Sequence, residues 1–322
     1  MLDYFDFDMQ LSAGSSADSD AEYKFLPQTP VRTPTETPVS GNTPNELSVS
    51  VSRTFHPYTS FNNRAPDIVF ISRDDVFFYV HCSKVLAASD NGFAMLLPTA
   101  FEIDGHLPAV ATPEPANVLG IILHIVYGLS VSGSGPSLET ISATLDVLPQ
   151  YGFSSKQHAR AGMPLCNLLA ACAPLRPIDT YALAAKHDLL DAAIAASAHL
   201  LAFPLASLTD ELATRVGSLY LKRLFFLHIG RIEALKHLLS HLPSHHPDTA
   251  ECSDVQQRCL ARAWALGVAH IMWDAGPNIS TQLLQATFLP LLEDLTCSKC
   301  NAALRDRVAS LVVDWASVKR TI

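Results

Sequence analysis

The chain has 322 residues, of which 48% are hydrophobic and 16% charged, with a formal net charge of −9. This length accommodates two domains with hydrophobic cores, and the negative charge argues against direct binding to nucleic acid or to an anionic membrane. Seven cysteines without a dense disulfide pattern favour a reducing compartment. Since no basic, apolar leader opens the sequence, we expect an intracellular protein of the cytoplasm or nucleus.

Residues 1–65 are predicted to form a disordered, Thr-Pro-rich tail. Ser, Thr, Pro, Gly and Asp dominate its first 46 residues, so the tail buries too little apolar surface to fold. Its opening residues 1–9 alternate aspartates with aromatic side chains, as do short activation-type or docking segments. The alternative interpretation is a solvated acidic tail that carries a few aromatic residues.

Four Thr-Pro pairs occur in this tail, at Thr29, Thr33, Thr37 and Thr43. Proline-directed kinases accept exposed pairs of this kind, and each phosphate adds about −1.5 to −2 charges. A Pro-rich linker also produces such pairs by composition alone. The four threonines are therefore candidate phosphorylation sites, with the linker interpretation equally open.

A β-hairpin is predicted directly after the tail. Two runs rich in β-branched and aromatic residues, 68–72 and 76–81, flank the turn-forming residues 73–75. This arrangement is typical of two antiparallel strands joined by a tight turn. We expect His81, at the end of the second strand, to fix the junction with the next helix through hydrogen bonds.

Two short helices are predicted to follow the hairpin. Val85, Leu86 and Ser89 occur at helical spacing, and residues 90–92, Asp-Asn-Gly, end that helix. Phe93 and Met95 then resume an apolar face, which favours a second short helix.

This arrangement resembles the opening of a BTB/POZ domain. The similarity lies in the spacing of an aspartate, an apolar-x-x-His run, a Val-Leu pair, a serine, and an aromatic residue followed by Met. The residues that carry it are Asp67, Phe78 to His81, Val85, Leu86, Ser89, Phe93 and Met95. Where many members have Arg or Lys directly after the histidine, this chain has Cys82. In the C-terminal half, residues 181–190, 220–228 and 315–322 are similar to BTB proteins of mushroom-forming (basidiomycete) fungi.

The resemblance implies an α+β fold with two parts. A BTB/POZ-like domain, a short sheet with helical hairpins, is expected over residues 66–155, and an all-helical array over 156–322. The implied function is a protein–protein interaction module that forms a homodimer or binds another protein and has no catalytic activity. Its implied interaction residues are Asp67, His81, Leu86, Phe93 and Met95. Residues 47–52 alternate as in a strand, which either pairs with a second protomer or simply ends the linker.

The helical part follows from apolar residues that recur every three or four positions. One helix is expected to open at Pro115 and to end at Gly128, and its apolar stretch is too short to span a membrane. Asp179 is expected to cap a later helix. Further helices are predicted over 138–151, 204–216, 220–239, 255–274 and 304–318.

Two alternative functions remain open at this stage. BTB adaptors that recruit a cullin scaffold carry an apolar-x-Glu motif, to which residues 100–102, Ala-Phe-Glu, are the nearest match. This would make the chain a substrate adaptor of a cullin-type ubiquitin ligase. The acidic aromatic segment at residues 1–9 would instead suit a transcriptional regulator.

No catalytic motif, such as a nucleophile elbow or a phosphate-binding glycine loop, occurs in the sequence, so we expect neither enzyme activity nor a cofactor. Cys297 and Cys300 form a C-x-x-C pair, and Cys252 and Cys259 lie seven residues apart. These four thiols are the candidate zinc ligands, with Zn–S bonds of about 2.3 Å. The favoured alternative is that the pair is small and buried, with no metal bound. Four nearby histidines could add metal ligands or form a pH-sensitive surface, but a solvated loop is favoured: His237, His241, His245 and His246.

Overall fold

The computed structural model describes residues 50–97, 107–131 and 135–322, and these form an α+β fold with a small sheet and many helices. Several predictions fall outside these ranges. They concern the part of the predicted 1–65 tail before residue 50, its acidic aromatic opening, the four Thr-Pro sites and the motif at residues 100–102. Residues 50–65 of that tail are described, and Phe55 is buried in the core, so the predicted disorder does not extend to residue 65.

The sheet has four strands in the order β1-β3-β2-β4. The predicted hairpin is confirmed: β2 (Ile68–Ile71) pairs antiparallel with β3 (Val76–Val80). The turn places Asp75 at a φ of 57°, and its N–H donates to the Ser72 carbonyl. β4 (Ala109–Ala111) lies parallel to β2. β1 (Ser50–Val51) lies parallel to β3 of the same chain.

The first predicted helix after the hairpin is present, and the second is not. α1 spans Cys82–Ala88, but residues 90–96 form turns in which Phe93, Ala94 and Met95 have φ values of 56° to 59°. Left-handed backbone costs an L-residue about 1–2 kcal/mol, so other contacts must stabilise it. The Phe93 N–H donates to Ser89 Oγ and the Ala94 N–H to Asn91 Oδ1. These side chains replace the helical bonds that spacing alone predicted.

The next two helices complete the first part of the fold. α2 (Ala116–Tyr127) begins after Pro115 and ends at Gly128, whose φ of 67° is the left-handed conformation that glycine favours, as predicted. α3 (Leu138–Val147) is capped by Ser137, which accepts from the Thr140 N–H. It ends four residues earlier than the predicted Tyr151, because residues 148–152 form turns.

The rest of the chain is all-helical, as predicted. Its helices are α4 (Ser155–His158), α5 (Pro164–Cys172), α6 (Pro177–Lys186), α7 (Leu190–Ser197), α8 (Asp210–Ser240), α9 (Asp254–Trp273), α10 (Thr281–Phe288) and α11 (Ser298–Ser317). Short 3-10 turns occur at 198–200, 205–207 and 289–292.

Asp179 does not cap α6, contrary to the prediction. It lies in the first turn, where its carboxylate pairs with Arg176 and Arg215. The predicted helix over 204–216 is also only partly formed, since a 3-10 turn precedes α8, which begins at Asp210. Within α8, Gly217 has a non-helical φ of 74° and separates a first segment from the longer second one.

The described residues form two hydrophobic cores, and α8 contributes to both. The first contains residues of the sheet, α1 to α3, α5 to α7 and the start of α8 as far as Leu224, so it spans the domain boundary predicted at residue 155. The second extends from Leu235 to Trp315 and is built from the end of α8 with α9, α10 and α11. Within the described ranges, no helix is long and apolar enough to cross a bilayer.

Candidate functional site

The residues implied by the BTB resemblance are partly internal. His81 and Phe93 are buried, whereas Leu86 and Met95 are exposed, Met95 to 89%. Asp67 accepts a 2.6 Å hydrogen bond from the Cys82 N–H at the first turn of α1. The structure therefore gives Asp67, His81 and Phe93 internal contacts. Only Leu86 and Met95 of this set offer apolar surface to a partner.

His81 joins three segments of the first core through hydrogen bonds. Its Nε2 lies 3.0 Å from the Arg64 carbonyl, which can only accept, so Nε2 carries the proton. Nδ1 then accepts from the Tyr127 hydroxyl at 2.9 Å, and the same oxygen accepts from the His81 N–H at 2.7 Å. The ring is thus fully paired, in agreement with the structural role predicted for it.

Phe93 fills the space between the sheet and the turn after α3. Its ring stacks on Phe70 at 4.7 Å and on Tyr151 at 4.3 Å between centroids. The Ser89 hydroxyl links the same segments, because it donates to the Tyr151 carbonyl at 2.7 Å. The left-handed turn therefore points Phe93 into the core and leaves Met95 in solvent.

An apolar stripe runs along the exposed side of α8. Leu219, Phe226 and Ile229 follow at intervals of seven and three residues, which places them on one face of the helix. All three are more than half exposed, Phe226 to 62%. Large apolar side chains grouped on a surface helix are typical of sites that bind another molecule.

A groove of about 500 Å³ lies beside this stripe, between α8 and residues 318–322. Leu219 and Phe226 are part of its apolar lining, and Lys222, Arg223 and Lys319 bring positive charge to it. None of the described side chains that line the groove is an aspartate or a glutamate. We call this surface, Leu219 to Ile229 together with residues 318–322, the α8 groove.

Two cations of the α8 groove, Lys222 and Arg223, lie close to aromatic rings. The Arg223 guanidinium lies 4.8 Å from the Tyr220 ring centre, and the Lys222 ammonium lies 5.6 Å from that of Phe226. The Nη1 atom of Arg223 is buried and has no hydrogen-bond partner among the described residues.

Arg231 fixes the opposite wall of the groove. It is buried, and its guanidinium donates to the carbonyls of Pro277, Val318 and Lys319 at 2.6 to 3.0 Å. It also lies 4.2 Å from the Trp315 ring centre. The residues after α11 are thereby attached to α8.

A second cluster brings together three thiols and one imidazole. The Sγ atoms of Cys252, Cys297 and Cys300 and a ring nitrogen of His246 all lie within 4.8 Å of one another. Three of the four cysteines named as candidate zinc ligands are therefore adjacent in space. The fourth, Cys259, is exposed on α9 and outside the cluster.

The thiols of this cluster differ in acidity. The N–H groups of Cys300 and Lys299, in the first turn of α11, stabilise the Cys297 thiolate and lower its pKa to about 7. Burial raises the pKa of Cys252 and Cys300 above the ordinary value. Cys297 is therefore the thiol of the cluster that ionises most readily.

The sequence analysis included His246 among four histidines that could add metal ligands, but it favoured a solvated loop for all four; the structure places His246 in the cluster. It lies 51 residues before Cys297, and its neighbours His241 and His245 are exposed, as expected for a solvated loop. The available signal was that one irregular connection, between α8 and α9, carries both a histidine and a cysteine. That signal does not say which of the loop histidines turns inward.

Comparisons of the chain with family models, curated proteins and solved structures found no match. Its function is therefore inferred from its own residues and their geometry.

Proposed function

We propose that the chain is a protein–protein interaction module without catalytic activity of its own, and that the α8 groove binds an acidic amphipathic segment of a partner protein. The observation that carries this proposal is the combination of exposed apolar side chains with a cationic groove on one helix. An apolar strip bordered by cations matches a segment with leucine or phenylalanine on one face and glutamate beside it.

Each half of that combination has a distinct role. Burial of Leu219, Phe226 and Ile229 would supply most of the binding free energy, at about 25 cal/mol per Å² of apolar surface removed from water. Lys222, Arg223 and Lys319 would select acidic partners and speed their association, an effect that weakens with added salt.

The BTB/POZ assignment belongs to the same proposal. The hairpin, α1 and α2 support it, while the left-handed turn at Phe93 to Met95 differs from the helix that the resemblance implies. Self-association through the BTB-like part would use the exposed side chains of Leu86 and Met95. The mass of the full chain in solution, compared with that of Leu86→Asp, tests this part separately.

The test of the groove uses a synthetic amphipathic peptide that has leucine on one face and glutamate beside it. The peptide is labelled for fluorescence anisotropy. We expect the full-length protein to bind it, and Phe226→Glu to weaken binding at least about tenfold, since central aromatic anchors dominate interfaces. Leu266→Glu is the matched control, because Leu266 is a 73% exposed apolar residue on α9, away from the groove.

Equal losses in Phe226→Glu and Leu266→Glu would contradict the proposal, as would failure of the wild-type protein to bind the peptide. Both variants change exposed positions, so their folding is expected to stay intact. Circular dichroism of the three proteins checks this before binding is measured.

A further inference from the structure

Three distances between ligand atoms of His246, Cys252, Cys297 and Cys300 are close to the edges of a metal tetrahedron, and all four atoms lie within 4.8 Å of one another. Cys252 Sγ lies 3.7 Å from Cys300 Sγ, and His246 Nε2 lies 3.3 Å from Cys300 Sγ and 3.4 Å from Cys297 Sγ. A tetrahedral zinc ion with Zn–S of about 2.3 Å and Zn–N of about 2.05 Å sets edges of about 3.8 Å and about 3.6 Å.

The imidazole is held in the form that a metal requires. His246 Nδ1 lies 2.8 Å from the Pro247 carbonyl, which can only accept, so Nδ1 carries the proton. In the neutral ring the lone pair is then on Nε2, the nitrogen that faces the thiols. A hydrogen bond on the other ring nitrogen is the usual way that proteins orient a metal-binding histidine.

The backbone around His246 is also fixed. Gln257, buried on α9, accepts from the His246 N–H at 3.0 Å and donates to the His246 carbonyl at 2.8 Å. Cys252 lies in a tight turn, in which its N–H donates to Thr249 Oγ1 and its carbonyl accepts from the Thr249 N–H. The two ligands from this loop are therefore positioned before any ion arrives.

The other two ligands come from the start of α11. Cys297 is the residue before the helix and Cys300 is its third residue, so the C-x-x-C spacing places both thiols on the same side of the first turn. Cys252, Cys297 and Cys300 are all buried. Cys259, seven residues after Cys252, is not part of this arrangement.

We propose that these four side chains bind one Zn²⁺ ion in a closed structural site. Thiolate and imidazole ligands select zinc over magnesium or calcium, and four protein ligands leave no open position for water or substrate. Binding would release the thiol protons to solvent. The site goes beyond the α8 groove and does not depend on it.

The ion would connect parts of the second core that are distant in sequence. His246 and Cys252 belong to the connection between α8 and α9, and Cys297 and Cys300 lie at the start of α11. That connection has no helix of its own over residues 241–253. Zinc would therefore attach the loop to the start of α11 and hold α9 and α11 in their packing.

The first test is the metal content of the full-length chain, purified under reducing conditions and measured by elemental mass spectrometry. We expect about one zinc ion per chain. We expect the zinc content of His246→Ala and Cys300→Ser to fall at least about tenfold, since even residues that only orient ligands affect metal affinity 10- to 100-fold.

Two neighbours in the sequence provide matched controls. His245→Ala removes an exposed imidazole next to His246, and Cys259→Ser removes an exposed thiol on α9. Both should retain the full zinc content. Cobalt(II) added to the metal-free wild-type chain should give the strong visible absorption of a tetrahedral thiolate site, which tests binding without relying on a variant that folds.

Several results would overturn the proposal. One is a wild-type chain that contains no zinc and takes up neither zinc nor cobalt after reduction. Another is stoichiometric iron in place of zinc. A disulfide between Cys252 and Cys300, found by peptide mass spectrometry in the chain as isolated, would assign the cluster to thiol oxidation instead. Equal zinc loss in His245→Ala and His246→Ala would also contradict it.

Discussion

The ring of Phe93 determines the course of the chain after α1. It is fully buried between Phe70 and Tyr151, although its backbone has a φ of 56°. Burial of an aromatic side chain and two stacking contacts outweigh the cost of a left-handed backbone. Spacing along the sequence could not reveal this, because the rings that receive Phe93 come from β2 and from the turn after α3.

Phe93→Ala should therefore lower the free energy of unfolding by about 3–5 kcal/mol, the usual cost of removing a large buried aromatic side chain. Urea denaturation of the full-length chain measures it. Met95→Ala, two residues away in the same left-handed turn and exposed, should change stability by less than about 0.5 kcal/mol. Similar losses in the two variants would show that the turn, and not the buried ring, is what matters.

Three partly or fully buried histidines link stability to pH. Burial lowers the pKa of His158, His187 and His228 below the ordinary value of 6.5. As the pH falls through about 6.5, the unfolded chain takes up protons that the folded chain resists. The contribution of these histidines to the free energy of unfolding is therefore fully present above this pH and is lost on acidification.

His228 is suited to test this pH dependence. Its Nε2–H donates to the Leu200 carbonyl at 2.9 Å, and Gln can keep a donor at this position without titrating. His228→Gln should reduce the loss of unfolding free energy between pH 7.5 and pH 5.5, measured by urea denaturation. His199→Gln, at an exposed position, should not. An unchanged loss in His228→Gln would exclude this histidine as a source of the acid sensitivity.

At the scale of the elements, sequence patterns predicted those with strong local signals. The hairpin has a strand–turn–strand pattern, and α2 lies between Pro115 and Gly128, which define its ends locally. The C-terminal end of α3 and the start of α6 differ from prediction: turns follow α3 from residue 148, and α6 begins at Pro177, so that Asp179 lies within its first turn. The thiol cluster was only partly predictable, since C-x-x-C is visible in the sequence but the fold alone brings His246 to it.

α8 is interrupted at Gly217, and this predicts opposite effects for two glycine substitutions in one helix. Gly217 has φ 74° and ψ 157°, a conformation almost confined to glycine, so Gly217→Ala should destabilise the chain by about 1–3 kcal/mol. Gly230 is helical with open space where a Cβ would stand, so Gly230→Ala should stabilise it by up to about 1 kcal/mol. Thermal unfolding of both variants checks the signs, and stabilisation by Gly217→Ala would refute this interpretation of the interruption.

At the scale of the whole molecule, the two cores differ in what holds them. The first core is larger and contains the sheet, whereas the second consists of the end of α8 with α9, α10 and α11 and includes the three buried cysteines of the thiol cluster. If zinc attaches the connection between α8 and α9 to α11, its removal should affect the second core selectively.

Hydrogen exchange measured by mass spectrometry can locate this effect. With a zinc chelator added to the full-length chain, we expect protection to fall in α9 and α11 while β2 and β3 stay protected. The same chelator added to Cys300→Ser, which lacks a proposed ligand, should cause no further change. A uniform loss of protection in both cores would contradict the separation proposed here.

The central claim is that the α8 groove selects acidic amphipathic partners, and an exchange of charge tests it most directly. The measurement is the affinity of the wild-type chain and of Lys222→Glu/Lys319→Glu for two peptides that differ only in glutamate or lysine on the polar face. We predict that the wild type prefers the acidic peptide at least about tenfold and that the double variant reverses this preference. The same order of affinities in both proteins would contradict the account.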